Sequence, residues 1–270
     1  MAESNKRLKA FGANVASFDS ILNADGILFR EHKNRRTLYI KRNGRGYFLK
    51  IHRRAGWKEI LKNVLSLRWP VLSAQNELCA IRRLEELGID TVKAAGYGKR
   101  GLPPAWLESY IITEELQNTI SLEDFCKDWK LRPPATRLKW ALIKRVATIA
   151  RRLHMHGVNH RDFYLCHFLL DINSLEKEAD EGPRLYLIDL HRVQLRKRTP
   201  QRWIIKDLAG LYFSCLDINL TRNDVFRFMK TYTGKSLRSV LKEDGSFWEK
   251  VQVRAKKLYD KHLKNQGRGD

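Results

Sequence analysis

Apolar positions along this chain follow two spacings in turn. In the first part they come in short, strand-like blocks. Leu38-Tyr39-Ile40 and Tyr47-Phe48-Leu49-Lys50-Ile51 predict two β-strands, and Asn43-Gly44-Arg45-Gly46 between them carries turn chemistry, so a hairpin carrying a lysine near its end is expected. Trp57, Ile60, Leu61, Val64 and Leu65 mark one face of a basic amphipathic helix closed by Trp69-Pro70; core packing and a membrane-surface role both fit that stripe. Leu78, Ile81, Leu84 and Leu87 predict a helix over 77–87 that stops at Gly88. Val92–Ala95 and Tyr110–Thr113 read as further strands.

Beyond that point the spacing turns helical. Ser121-Leu122-Glu123-Asp124 starts a helix with a capping signature. Leu138, Leu142, Val146, Ile149 and Leu153 draw a long amphipathic helix, and 207–216, 224–232 and 246–262 predict three more. The pattern predicts an α+β architecture with a small β-rich lobe and a larger helical lobe, joined near Glu114–Thr119. The expected division is a loosely anchored extension at 1–25, an N-lobe with the inserted amphipathic helix at 26–116, a helical C-lobe at 117–262 and a polar tail at 263–270.

Composition changes this picture in one respect. The 270 residues carry a formal charge of +22. Such a field favours a polyanionic partner: nucleic acid, an anionic membrane surface, an acidic protein or a phosphorylated glycan. The charge is clustered, with thirteen Lys/Arg against two Asp/Glu from Arg30 to Arg68, and an acid-free basic run from Arg192 to Lys206. No helix-turn-helix, zinc-finger or RNP-type signature accompanies it, so no specific nucleic-acid partner is expected. Cys79, Cys126, Cys166 and Cys215 form no CxxC pair, which fits a reducing cytoplasm. No apolar run is long enough to span a bilayer, so any membrane association is expected to be peripheral.

The candidate chemistry sits at His160-Arg161-Asp162 and at Leu187-Ile188-Asp189. Each aspartate lies beside a strand-like run. In phosphoryl transfer one carboxylate orients the attacking hydroxyl and another holds the metal on a nucleotide's phosphates. Asp162 follows a long helix in a loop and suits the first role. Asp189 ends Leu185–Ile188 and suits Mg²⁺, which prefers hard oxygen donors. Lys50 is positioned to neutralise phosphate charge, and Glu77 on the following helix is its expected anionic partner; Glu59 is a rival nearer in sequence. His154, His156, His160, Cys166 and His167 match no zinc-ligand spacing.

These residues carry a resemblance. Arg35-Arg36-Thr37-Leu38, Tyr47-Phe48-Leu49-Lys50, Ile111-Ile112-Thr113-Glu114, Gly157-Val158-Asn159-His160-Arg161-Asp162, Cys166-His167-Phe168-Leu169-Leu170, Ile188-Asp189-Leu190-His191-Arg192 and Lys206-Asp207-Leu208-Ala209 resemble the protein-kinase-like superfamily, and within it the lipopolysaccharide core heptose (I) kinase family. The resemblance implies ATP- and Mg²⁺-dependent phosphorylation of the first inner-core heptose, on its 4-hydroxyl, in a Gram-negative bacterium at the cytoplasmic face of the inner membrane. The same match implies that Asp162 is the catalytic aspartate, Lys50 and Glu77 the ATP-phosphate pair, and Asp189 the metal ligand. It further implies that Asp207 braces the catalytic loop and that Glu114, Glu115 and Leu116 form the hinge. A related kinase acting on another core sugar such as Kdo, or on a protein tyrosine, is the alternative of the same class.

Three departures from ordinary protein kinases bear on the site. His167 stands where an asparagine would ligate a second metal, and imidazole is a poor Mg²⁺ ligand; contact with phosphate or ordering of the loop are its expected roles, alongside Arg161. Asp189-Leu190-His191 replaces the usual Asp-Phe-Gly. No glycine-rich run precedes Lys50, so Arg35, Arg36 or backbone amides are expected to cover the phosphates. Only eighteen positions separate Asp189 from Asp207, which favours a glycan or other small acceptor over a protein.

Overall fold

The computed structural model describes residues 17–32, 34–54, 73–102, 106–176 and 182–266. The amphipathic helix expected at Trp57–Leu65, with Glu59, lies outside them. The described residues form two compact units, one drawn from 1–83, 91–116 and 190–192, the other from 84–90, 117–189 and 193–270.

The first unit is built on a five-stranded antiparallel sheet. Its strands are β1 (Ile27–His32), β2 (Arg35–Arg42), β3 (Arg45–His52), β4 (Ala94–Arg100) and β5 (Glu108–Glu114), in the order β1-β2-β3-β5-β4. Period-two alternation sorts β3: Tyr47, Leu49 and Ile51 are buried with Leu38, Tyr110 and Ile112 in one core, leaving Phe48, Lys50 and His52 on the other face. The hairpin turns at Asn43-Gly44, both at positive φ, as its sequence predicts. Helix α1 (Phe18–Leu22), capped by Ser17, buries Ile21 and Leu22 in that core. Residues 18–22 are therefore part of the lobe, where a loosely anchored extension was expected. Arg100 holds them by donating to both Asp19 oxygens, at 2.6 and 2.9 Å. The strand expected at 92–95 begins only at Ala94 and runs on to Arg100. Helix α2 (Gln75–Glu86) follows the predicted stripe.

The second unit is mostly helical. Ser121 caps α3 (Leu122–Cys126), accepting the Asp124 N–H. The long α4 (Thr136–Met155) buries Leu142, Val146, Ile149 and Leu153 as its periodicity demands. Short strands follow: β6 (Thr119–Ser121), β8 (Phe168–Asp171) and β9 (Leu185–Leu187) form one sheet, and β7 (Val158–Asn159) pairs with β10 (Gln194–Leu195). Helices α5 (Gln201–Phe213), α6 (Arg222–Thr233), α7 (Leu237–Glu243) and α8 (Gly245–Gln266) complete it. Helix α5 starts six residues before its predicted beginning, inside the acid-free basic run. Helix α8 extends into the first part of the expected tail. Thr221 and Asp224 form a reciprocal capping box on α6, and Lys139 reaches Asp224 at 2.8 Å to tie α6 to α4. Among the helices lies a cavity of about 600 Å³ with mainly apolar walls, including Trp129, Val146, Leu211, Met229 and Trp248.

Candidate active site

In the first unit, alternation along β3 puts Lys50 on the face away from the sheet's core. Its Nζ lies 2.6 Å from Glu77 Oε1 on α2; the Lys50 side chain is 26% exposed and Glu77 only 1%. A carboxylate buried this fully needs a cation, and Lys50 supplies it. Arg35 pairs across the sheet with His52, two residues along from Lys50, so all three share one face. Arg36 pairs with Ile51, on the opposite face, and its Nε lies 3.9 Å from Glu31. Of the two arginines expected as alternatives for phosphate, Arg35 thus shares the face of Lys50 and Arg36 does not, because adjacent strand residues point to opposite sides. His52 is buried, and burial first, then the charges of Arg35, His191 and Lys50, lower its pKa to about 3. It is neutral at physiological pH.

The segment Glu114–Leu116, expected as the hinge, is tied to the β2–β3 hairpin. The Tyr39 hydroxyl donates to Glu115 Oε2 at 3.1 Å, and the Glu115 N–H donates to the Gly46 carbonyl. The Glu114 N–H donates to the Lys93 carbonyl, so both glutamate amides are committed within the lobe. Leu116 is half-buried.

In the second unit the two aspartate loops are stitched to each other. Asp207 on α5 is buried and accepts the backbone N–H groups of His160 and Arg161, at 2.6 and 2.8 Å. These two bonds tie α5 to the start of the His160 loop. Ile188 joins the loops through its backbone: its N–H donates to the His167 carbonyl at 2.9 Å, and its carbonyl accepts from His160 Nε2 at 3.0 Å. His160 is fully enclosed; burial lowers its pKa against the opposing pull of Asp207. His167 Nδ1 donates to the Asp162 carbonyl at 2.6 Å, which turns Nε2 toward Asp189 Oδ2 at 3.5 Å. One imidazole thus spans from the backbone of Asp162 to the carboxylate of Asp189.

Five described residues other than glycine have positive φ. Three are asparagines, which tolerate that region; the other two are Arg161 at φ 75 and Asp189 at φ 61. The cost is about 1–2 kcal/mol at Arg161 and smaller at Asp189, since aspartate tolerates this region much as asparagine does; such strain persists only where surrounding contacts enforce it. The Asp207 and Ile188 hydrogen bonds are those contacts. Nothing in the one-dimensional pattern announces these two conformations, although Asp-Leu-His in place of Asp-Phe-Gly hints at a reshaped turn.

Asp189 offers hard oxygen donors that fit Mg²⁺. His167 Nε2 beside it does not, and no group of three or more His, Cys, Asp or Glu able to hold a metal occurs among the described residues. A donor set this sparse suits an ion that keeps water and substrate phosphates in most of its positions. The structure brings Lys50 to Glu77 in one unit and Asp162, His167, Asp189 and Asp207 together in the other.

A family model described as the lipopolysaccharide kinase (Kdo/WaaP) family matches residues 19–232. The lipopolysaccharide core heptose(I) kinase WaaP of Escherichia coli K12 is 45% identical over 261 residues, covering 97% of this chain and 98% of that one. WaaP of Pseudomonas aeruginosa is 49% identical over 244 residues and 90% of each chain. A solved structure of WaaP in complex with acyl carrier protein superposes with a TM-score of 0.79 at 44% identity, over 93% of this chain and 96% of that one. With a β-sheet lobe, a helical lobe and relatives alike along nearly their whole length, this protein-kinase-like chain belongs to the lipopolysaccharide kinase (Kdo/WaaP) family.

Proposed function

We propose that this protein is an ATP-dependent kinase that phosphorylates the first heptose of the lipopolysaccharide inner core, at the 4-hydroxyl. The carrying observation is the stitched loop pair, His160–His167 with Ile188–Asp189, in a chain nearly half identical to core heptose(I) kinases. Asp162 accepts and orients the acceptor hydroxyl, its backbone fixed by His167. Lys50, set by Glu77, binds the nucleotide phosphates, with Arg35 on the same face. Asp189 holds Mg²⁺, which when bound neutralises charge on those phosphates. The unit built on the five-stranded sheet is the nucleotide lobe, with Glu114–Leu116 as its hinge segment, and the mostly helical unit is the acceptor lobe. The short interval between Asp189 and Asp207 favours a glycan acceptor over a tyrosine in a protein.

The charge of +22 supports work on an anionic lipid-linked substrate at a membrane surface, on the cytoplasmic face of a Gram-negative inner membrane. No helix among the described residues is long and apolar enough to cross a membrane, so that association is peripheral. The complex of the solved relative supports an acyl carrier protein as a partner here too, and the apolar cavity in the helical lobe is of a size to receive an acyl chain.

Purified protein with ATP and Mg²⁺ is expected to add one phosphate to the heptose of dephosphorylated core oligosaccharide, read by tandem mass spectrometry. Phosphate on another sugar, or none, would reject the assigned acceptor. Binding to vesicles with anionic lipid, and not to neutral ones, checks the membrane assignment.

A further inference from the structure

Two helix stripes in the helical lobe face one groove. On α4, Arg137, Trp140 and Lys144 are spaced three and four residues apart; on α6, Arg227 and Lys230 are spaced three apart, so each set lies on one side of its helix. Together with Lys235, just past α6, they line a groove of about 510 Å³, with no acid among the described residues that line it. Two of the cations are neutralised from outside: Lys235 lies 3.0 Å from Asp244 and 3.1 Å from Glu243, and Arg227 lies 3.6 Å from Asp224. Arg137, Lys144 and Lys230 are not. They are exposed, and their side chains make no ion pair, hydrogen bond or ring contact among the described residues. Like charges gathered without a counter-charge repel one another, and an anionic partner removes that cost.

A second observation is independent of charge. Trp140 lines the same groove and is 44% exposed, with Arg227 Cζ 3.8 Å from its ring centre. An exposed indole among cations is the composition of a membrane-interface anchor, with the ring at the headgroup level and the charged heads on phosphates. A folded protein fits this groove less well. Lysine is depleted from the cores of protein–protein interfaces, and fixing its long side chain costs rotamer freedom. A fluid layer of phosphates meets a lysine without fixing it. Position along α4 separates the groove from the chemistry: the stretch from Trp140 to the helix end at Met155 is about 20 Å long, and the His160 loop lies beyond that end.

We propose that the α4–α6 groove, with Arg137, Lys144 and Lys230 around Trp140, is the surface by which the helical lobe docks on an anionic bilayer, the cations on lipid phosphates and the indole at the headgroup level. The proposal rests on the reading of the protein as peripherally membrane-bound and adds the surface that carries the contact. Lipid headgroups held there do not compete with the acceptor for the Asp162 loop.

Two charge-matched triple variants test it. Arg137→Gln with Lys144→Gln and Lys230→Gln strips the groove of its unpaired cations. Lys250→Gln with Arg254→Gln and Lys257→Gln removes the same charge from exposed positions of α8, in a second groove that no aromatic residue lines among the described residues. Binding to vesicles of phosphatidylglycerol in phosphatidylcholine is measured by co-sedimentation, without nucleotide or acceptor. The partition coefficient should fall about 100-fold for the α4–α6 triple, near fivefold per cation. The α8 triple should lose only about threefold, through net charge. Lipid brominated on its acyl chains should quench part of the emission of the bound protein, and Trp140→Phe should lack that part. Phosphorylation of lipid-free core oligosaccharide should be the same in the α4–α6 triple as in the unaltered protein. Equal losses in the two triples, or no quenching that depends on Trp140, would overturn the groove and leave the membrane reading standing. Unaltered protein that ignores anionic vesicles would reject the membrane reading and the groove with it. An α4–α6 triple that keeps its hold on vesicles but loses acyl carrier protein would also overturn the proposal and give the groove to an acidic protein.

Discussion

The two units fix their charged groups by different means. In the β-lobe, Lys50 is set by a side-chain ion pair, its Nζ lying 2.6 Å from Glu77 Oε1. In the helical lobe, the Asp162 and Asp189 loops are held by backbone hydrogen bonds through Asp207 and Ile188, against two left-handed residues. The β-lobe therefore has a site that one substitution dismantles, while the helical lobe has a frame that survives loss of the carboxylates it presents. Chemistry and stability should come apart in one lobe and fall together in the other.

The largest expected effect tests the first half of that contrast. Asp162→Asn should lower kcat by about 10²–10⁴-fold, the usual worth of a positioned proton acceptor. Thermal unfolding should move by no more than about 2 °C, because only the carboxylate changes and the carbonyl bonded by His167 remains. A loss of cooperative unfolding would show that the loop's frame depends on that side chain. Asp189→Asn should come next, with activity reduced about 10²-fold and a raised Mg²⁺ requirement. Asparagine tolerates φ 61, so this variant should fold; Asp189→Val, β-branched, should not fold as well. Equal stability of the two would remove the argument from backbone strain.

The β-lobe should behave differently. Lys50→Met leaves Glu77 buried without its cation, a defect of on the order of 3 kcal/mol. Activity and denaturation midpoint should drop together. Adding Glu77→Gln should restore most of the stability and none of the activity. A double variant no more stable than the single one would mean that the ion pair does not hold the lobe.

This contrast also marks what could be read from the chain. Lys50 and Glu77 were legible because each lies in a strongly periodic element, β3 and α2, where position fixes facing. The same rule applied strictly would have separated Arg36 from Arg35. Helix α4 was legible from its stripe. The start of α5 was missed because Gln201–Lys206 is charged on several sides, although Thr199-Pro200 ahead of it is a helix-entry signal. Strand β1 was missed because Ile27, Leu28 and Phe29 are all largely exposed and show no alternation. Helix α7 was missed although Ser236 caps it. Asp162 and Asp189 were read from their places after a long helix and at the end of a strand-like run, and Asp207 through the resemblance alone. The strained turns, the bridging of His167 to Asp189 and the gathering of α4 and α6 cations around Trp140 join residues far apart in sequence, and no local pattern encodes them.

The smallest predicted effect uses a proton in place of a mutation. His52 has a folded pKa of about 3 against 6.5 for the ordinary side chain, chiefly from burial. Between those values the unfolded chain binds a proton that the folded chain excludes. Stability therefore falls as pH drops from about 6.5 toward 3 and is fully present above that window. The loss approaches about 1.4 kcal/mol per pH unit inside it, so about 2 kcal/mol by pH 5. His52→Phe keeps a ring, removes the titration and removes a buried Nδ1 that has no hydrogen-bond partner. Denaturant unfolding at pH 7 and pH 5 should then differ by about 2 kcal/mol less in the variant than in the unaltered protein. His160 shares the sign, since burial lowers its pKa, but Asp207 opposes the shift and its Nε2 is tied to Ile188. Residual acid sensitivity in His52→Phe should therefore appear in the helical lobe, as broadening of amide signals around His160 and Ile188. A variant as acid-sensitive as its parent would place the acid weakness outside the β-lobe and erase that lobe's dependence on single buried groups.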